Sequence, residues 1–229
     1  MTTTSRPRRP RTPLAFAVLA GSAVLAVAAL TPSVIASAAS PTASSAEPAA
    51  RAAAQGEHRV VHRDARRDAI RFDTETEKKR PAPRDRTADV TRTVVDHQAD
   101  QLVVQTRVRQ LGRSGYRLMI GEILTSDGRR LDLTVDYSKR PIGEAFSLTR
   151  SASGADVACP AATWSATRST KQVTATIPRS CLGDPAWVRV GLGMVAAPRN
   201  LRTSVGDDSR LSGRIGDEHI KLGPRQPHA

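Results

Sequence analysis

The chain has 229 residues, 35 lysines and arginines against 22 acids, a formal charge of +13, 3% aromatic residues and two cysteines. Two isolated cysteines with distant histidines offer too few ligands for a zinc site, and so few aromatics argue against a conventional stacking platform for sugars and against the basic-aromatic interleaving of a nucleic-acid reader. The positive surplus favours acidic partners, namely phosphate-bearing or uronic wall polymers, anionic lipid surfaces or extracellular nucleic acid; the plainer explanation is arginine used as a solvated surface residue.

Residues 1–38 follow the plan of a secretory signal: the basic stretch "RPRRPR", an apolar run from Leu14 to Leu30, and small residues ending "ASA" at Ala36 to Ala38. The expectation is a cleaved signal peptide, with an uncleaved anchor as the competing reading and the only route to a membrane. Cleavage removes four arginines and no acids, taking the formal charge from +13 to +9. Residues 39–57, beginning "ASPTASSAEPAARAAAQG", cannot bury a core and read as a disordered linker. The length that follows suits one domain, placed at 58–205, with a polar C-terminal tail over 206–229.

At the linker's edge, "HRVVH" sets His58 and His62 where they would share a helix face. It lacks the glutamate that gives such a motif meaning, so no metal is assigned. The mixed-charge stretch from His58 to Thr87 reads as a basic arm or as a surface strand with a polar loop. Beyond it the period is two. "AIRFDT" and "ADVTRTVVDH" supply strands, and His97 is expected in a solvated turn. In "QLVVQTRVRQL", Leu102, Val104, Thr106 and Val108 share one face. "YRLMI" is expected to turn Tyr116, Leu118 and Ile120 inward, with Gly121 marking a bulge. "SDGR" at 126–129 has Asp-Gly hairpin chemistry, and "RLDLTVDY" then alternates cleanly, with Leu131, Leu133, Val135 and Tyr137 on one face.

Strands continue at "FSLTR", "TWSATR", "QVTATIP" and "AWVRVGLGMV", the last aligning Val188, Val190, Leu192 and Met194. No amphipathic helix of twelve or more residues follows the signal. The predicted architecture is all-β: a single antiparallel β-sandwich of about eight or nine strands. In an exported chain Cys159 and Cys181 are most simply a disulfide, closing a loop worth about 3 kcal/mol around a two-strand unit. Trp187 falls out of phase with the aliphatic row and in phase with Arg189, which makes this pair the candidate ligand-binding residues; a tryptophan capping one end of the core is the plainer reading of Trp187. Asp207, Asp208, Asp217 and Glu218 offer oxygens of the kind calcium takes but no recognised spacing, so they are assigned to a floppy tail.

The segments "ADVTRTVVDHQADQLVVQTRVRQL" and "ATIPRSCLGDPAWVRVGLGMV", with an acid-bearing hairpin between them, resemble a group of uncharacterised exported actinobacterial proteins. Their domain is similar to carbohydrate-binding and DOMON-type β-sandwiches, over about residues 64–196 here. The chain departs from that pattern at "MIGEILTSDGRRLDL", where a strand ending in an Asp-Thr pair is expected. The resemblance implies a sandwich fold and says little of role. No catalytic motif, cofactor or specific nucleic-acid partner is read from the residues. The expected function is that of an exported, non-catalytic module holding a cell-wall glycan or another envelope component. Adhesion to anionic wall polymers through a basic surface, or an unrecognised secreted hydrolase, are the alternatives.

Overall fold

Apolar residues recurring at every second position give this chain strands wherever the alternation is unbroken. The structure, a computed structural model, describes residues 58–112, 114–141, 143–216 and 219–229. The expected signal and linker lie outside these residues.

Two antiparallel sheets carry the described chain, with strands numbered in chain order. The five-stranded sheet runs β1 (Arg59–Arg63), β4 (Val90–His97), β5 (Gln101–Val108), β10 (Gln172–Pro178) and β9 (Thr163–Thr167). The second sheet runs β3 (Lys79–Pro81), β2 (Ile70–Asp73), β12 (Thr203–Asp208), β11 (Trp187–Ala197), β6 (Tyr116–Thr125), β7 (Arg130–Asp136) and β8 (Phe146–Arg150). A short β13 (Gln226–Pro227) joins it by pairing with the start of β11. The fold is therefore the expected all-β sandwich. It has more strands than expected because β3, β12 and β13 are short or polar and read as loops, while β1 lies in the stretch left between a basic arm and a surface strand.

Between the sheets lies one apolar core. Leu102, Val104 and Val108 meet Leu131, Leu133, Val135, Val188, Val190, Leu192 and Met194, all buried. Each such side chain contributes roughly 1.5–3 kcal/mol on leaving water. The Asp-Gly hairpin forms as expected. Gly128 takes φ 84 and the Thr125 and Arg129 backbones close the turn. Cys159 and Cys181 form the disulfide, tying the segment ahead of β9 to the 3-10 turn Arg179–Leu182 that follows β10. Such a bridge fits an oxidising environment. Among the described residues no helix is long and apolar enough to cross a membrane.

Four expectations need correction. First, β6 has the opposite phase: Met119, Gly121 and Ile123 face the core, paired with Val135, Leu133 and Leu131, and the ladder runs through Gly121 without a bulge. A Cβ on Gly121 would stand 3.1 Å from a Leu192 methyl, so the glycine makes room for a core leucine.

Second, the described residues of 206–229 do not form a tail. Asp207 and Asp208 are buried in β12, and the segment beyond lies along the outer face of the second sheet. Ile220 and Lys221 pack over Gly191, and Ile215 over Gly206. Glu122, buried on that outer face, pairs with Arg130 and with His219, whose Nδ1 is 3.1 Å away.

Third, His97 is buried at the end of β4, its Nδ1 3.1 Å from the Gln226 carbonyl. Fourth, "HRVVH" is structured: His62 lies in strand β1 opposite Thr93 and the His58 ring contacts the Pro227 carbonyl, so of the two readings of this stretch the surface strand holds and the mobile arm does not.

Candidate functional site

Trp187 and Arg189 share the outer face of β11 as their phase required, but the C-terminal segment engages both. The Arg225 guanidinium stands 4.4 Å from the centre of the Trp187 ring, and Arg189 Nε donates to the Gly223 carbonyl at 2.8 Å. The better exposed ring is Trp164, 37% exposed on the edge strand β9.

The outer face of the five-stranded sheet presents a different chemistry. Arg63 of β1 is directly opposite Arg92 of β4, and Arg92 is directly opposite Arg107 of β5. Side chains so paired have Cβ atoms about 5 Å apart, and like charges in this relation are destabilising. The row lies where the regular register of β4 ends. The register slips between Val90 and Arg92, so Val90 turns into the core while Arg92 turns outward beside Arg107. Without that bulge the two residues would share a face. Thr91, the extra residue, donates its hydroxyl to the Arg107 carbonyl at 3.1 Å.

The three arginines floor a groove of about 510 Å³. Arg66, Arg86, Arg109 and Lys171 add four more cations to its lining, and no carboxylate lines it among the described residues. Of the seven, only Arg109 has a carboxylate partner among the described residues, the Asp89 oxygen 2.6 Å away. A cavity of about 660 Å³ at another edge is also basic, with Arg71, Arg117, Lys139, Arg140 and Arg199. There the cations are partly spent. Arg117 bonds the Tyr116 and Ala197 carbonyls, Arg199 lies over the Tyr116 ring, and Asp85 joins the lining.

Beside the groove, the crossover between the sheets gathers acids. Asp64 follows β1, Asp68 precedes β2, Asp89 precedes β4, and Asp207 belongs to β12. One oxygen from each of Asp64, Asp68 and Asp207 lies within 4.8 Å of the others. Burial, then the Asp207 and Asp68 charges, pushes the Asp64 carboxyl up to about 8. Burial, with Asp68, Asp89 and Asp208 beside it, pushes Asp207 to about 8 against the Val90 N–H that favours its ionised form. Asp208 points away from this group and accepts the Arg210 and Lys221 N–H groups at 3.0 and 2.8 Å. Asp217 and Glu218 lie outside the described residues.

Sequence reasoning missed both constellations. The arginine row needs the register of three strands, and the acids come from four separate places in the chain. No protein-family model matches the chain, and neither a curated protein nor a solved structure does.

Proposed function

We infer that this is an exported β-sandwich protein that holds an anionic polymer of the cell envelope in the arginine groove of its five-stranded sheet. The reading rests on one observation: Arg63, Arg92 and Arg107 are aligned across three strands with no carboxylate among them. An arrangement that costs stability in the free protein is relieved when an anion lies along it. Guanidinium groups suit phosphate and carboxylate oxygens because their planar fork makes two parallel hydrogen bonds. A row fixed on strands presents that fork with little further loss of freedom.

Export is supported by the signal-like residues 1–38 and by the disulfide. A stacking site for neutral sugars at Trp187 has less support, since Arg225 already occupies that ring's face.

The test is co-sedimentation or anisotropy with a poly(glycerol phosphate) chain and with a neutral polysaccharide of similar length, at low and high salt. Retention of the phosphate polymer that weakens as salt rises is the expected result. Equal retention of the neutral polysaccharide, insensitive to salt, would contradict it.

A further inference from the structure

Asp64, Asp68, Asp89 and Asp207 share a pattern that the groove does not explain: each has one oxygen anchored by the protein and one left without a partner. Ala65 N–H donates to Asp64 Oδ1 at 2.8 Å, and Gly213 N–H donates to Asp68 Oδ2 at 3.2 Å. Asp89 Oδ2 accepts from the Arg67 N–H at 3.0 Å and from Arg109, and Val90 N–H donates to Asp207 Oδ2 at 2.8 Å. The second oxygens, Asp64 Oδ2, Asp68 Oδ1, Asp89 Oδ1 and Asp207 Oδ1, are all buried and have no hydrogen-bond partner.

Asp89 and Asp207 are themselves 0% and 1% exposed, so these are not surface acids whose free lone pairs face water. Buried polar atoms are nearly always satisfied, and an unpaired buried carboxylate is far costlier than a neutral group. Four orphaned oxygens in one crossover call for a shared partner. Cations of the protein do not supply it: Arg109 is held by Asp89 Oδ2, and Arg210 divides its field between Asp208 and Asp64.

We propose that Asp64, Asp68 and Asp207, with Asp89 beside them, form a binding site for a calcium ion. The donor chemistry is that of a hard cation, all oxygen and mostly carboxylate. The spacing is compatible with calcium. Calcium holds oxygens about 2.3–2.6 Å away, so two of its ligands stand up to about 5 Å apart, which accommodates three oxygens mutually within 4.8 Å. Magnesium requires near-octahedral geometry at about 2.0–2.1 Å and keeps its waters, which a buried three-sided cluster suits less well.

The ion would join the two sheets where the chain crosses between them, since Asp64 and Asp89 flank strands of the five-stranded sheet while Asp68 and Asp207 flank or occupy strands of the other. It would also fix the crossover residues Arg66 and Arg67, of which Arg66 lines the arginine groove. The inference does not depend on what that groove binds.

Calorimetric titration of the chelator-treated protein with calcium chloride, paired with thermal unfolding, tests it. Expected are saturable binding and a midpoint that rises by roughly 5–10 °C at a hundredfold excess over Kd, with at least a tenfold weaker response to magnesium. Asp207→Asn is expected to abolish the calcium response and, in chelator, to unfold no earlier than the native chain, because the amide keeps an oxygen for the Val90 N–H and removes a carboxyl that burial makes costly to ionise. Should that variant fail to fold, the half-buried Asp64→Asn carries the same expectation of at least tenfold weaker calcium binding, while Asp132→Asn, in another part of the fold, keeps the native response. A native midpoint indifferent to calcium, an equal response to magnesium, or an undiminished calcium response in Asp64→Asn would overturn the assignment.

Discussion

The Arg225 guanidinium lies over the Trp187 ring at 4.4 Å from its centre, so the residue whose phase marked it as an open binding ring is covered by the chain's own C-terminal segment. Its neighbours are engaged in the same way: Pro227 pairs with Trp187 in the sheet, and Arg189 is bonded to Gly223. Trp187→Ala should therefore cost stability, about 2 kcal/mol for a half-buried aromatic, and leave polymer binding unchanged. Arg225→Ala should cost about 0.5–1 kcal/mol and alter tryptophan emission in a Trp164→Phe background, where Trp187 is the remaining emitter. Denaturant titration followed by fluorescence measures both.

The disulfide separates two cysteines by 22 positions and clasps the β9–β10 unit to the turn after it. Replacing Cys159 and Cys181 by serine should lower unfolding free energy by about 3 kcal/mol in the chain-entropy account. Adding a reductant to the native protein should shift its denaturant midpoint by a matching amount and leave the doubly substituted chain unmoved. A midpoint indifferent to reduction would show that the bridge does not constrain the unfolded chain.

His97 gives the fold a defined acid limb. Burial holds its pKa below the ordinary value, and the charges of Arg179, His228 and His58 act in the same direction against the opposing Gln226 hydrogen bond. Its Nε2 is buried with no acceptor, so a proton there is poorly accommodated. Below about pH 6.5 the unfolded chain takes up a proton that the folded chain resists. Stability from this group is thus full above that pH and falls as pH drops toward the lowered folded value. Asp64 and Asp207, held up to about 8, make the folded chain the better proton binder over the same range and so act in the opposite direction. The urea midpoint of His97→Gln relative to that of the native protein should therefore rise as pH falls from about 7.5 to about 5, and a constant difference would contradict this role for His97.

How much of this was legible depended on how much of each strand faces water. β5, β7, β10 and β11 each have a row of aliphatics on the core face, and their phase read correctly because one face was uniformly apolar. β6 carries Leu118, Ile120 and Leu124 on one face and Met119 and Ile123 on the other, so alternation alone could not choose. Those outer positions are half-buried, and their neighbours Glu122 on β6 and Gly191 on β11 are covered by His219, Ile220 and Lys221 of the C-terminal segment.

The strand "TSVGDD" was opaque for the opposite reason: two adjacent aspartates signal solvent, yet both are buried in β12. Neither site had a local signature. Arg63, Arg92 and Arg107 come together only through the register of β1, β4 and β5, and register leaves no mark in composition.

The arginine row makes the most direct test, because the account assigns it a cost in the free protein and a gain in the complex. Arg92→Gln, measured for unfolding free energy at low salt and for affinity to poly(glycerol phosphate), should move the two quantities in opposite directions. Removing the middle charge is expected to raise stability by a few tenths of a kcal/mol and to weaken binding about tenfold, the worth of one charge-assisted contact. A variant that loses stability while binding the polymer as tightly as the native protein would contradict the account.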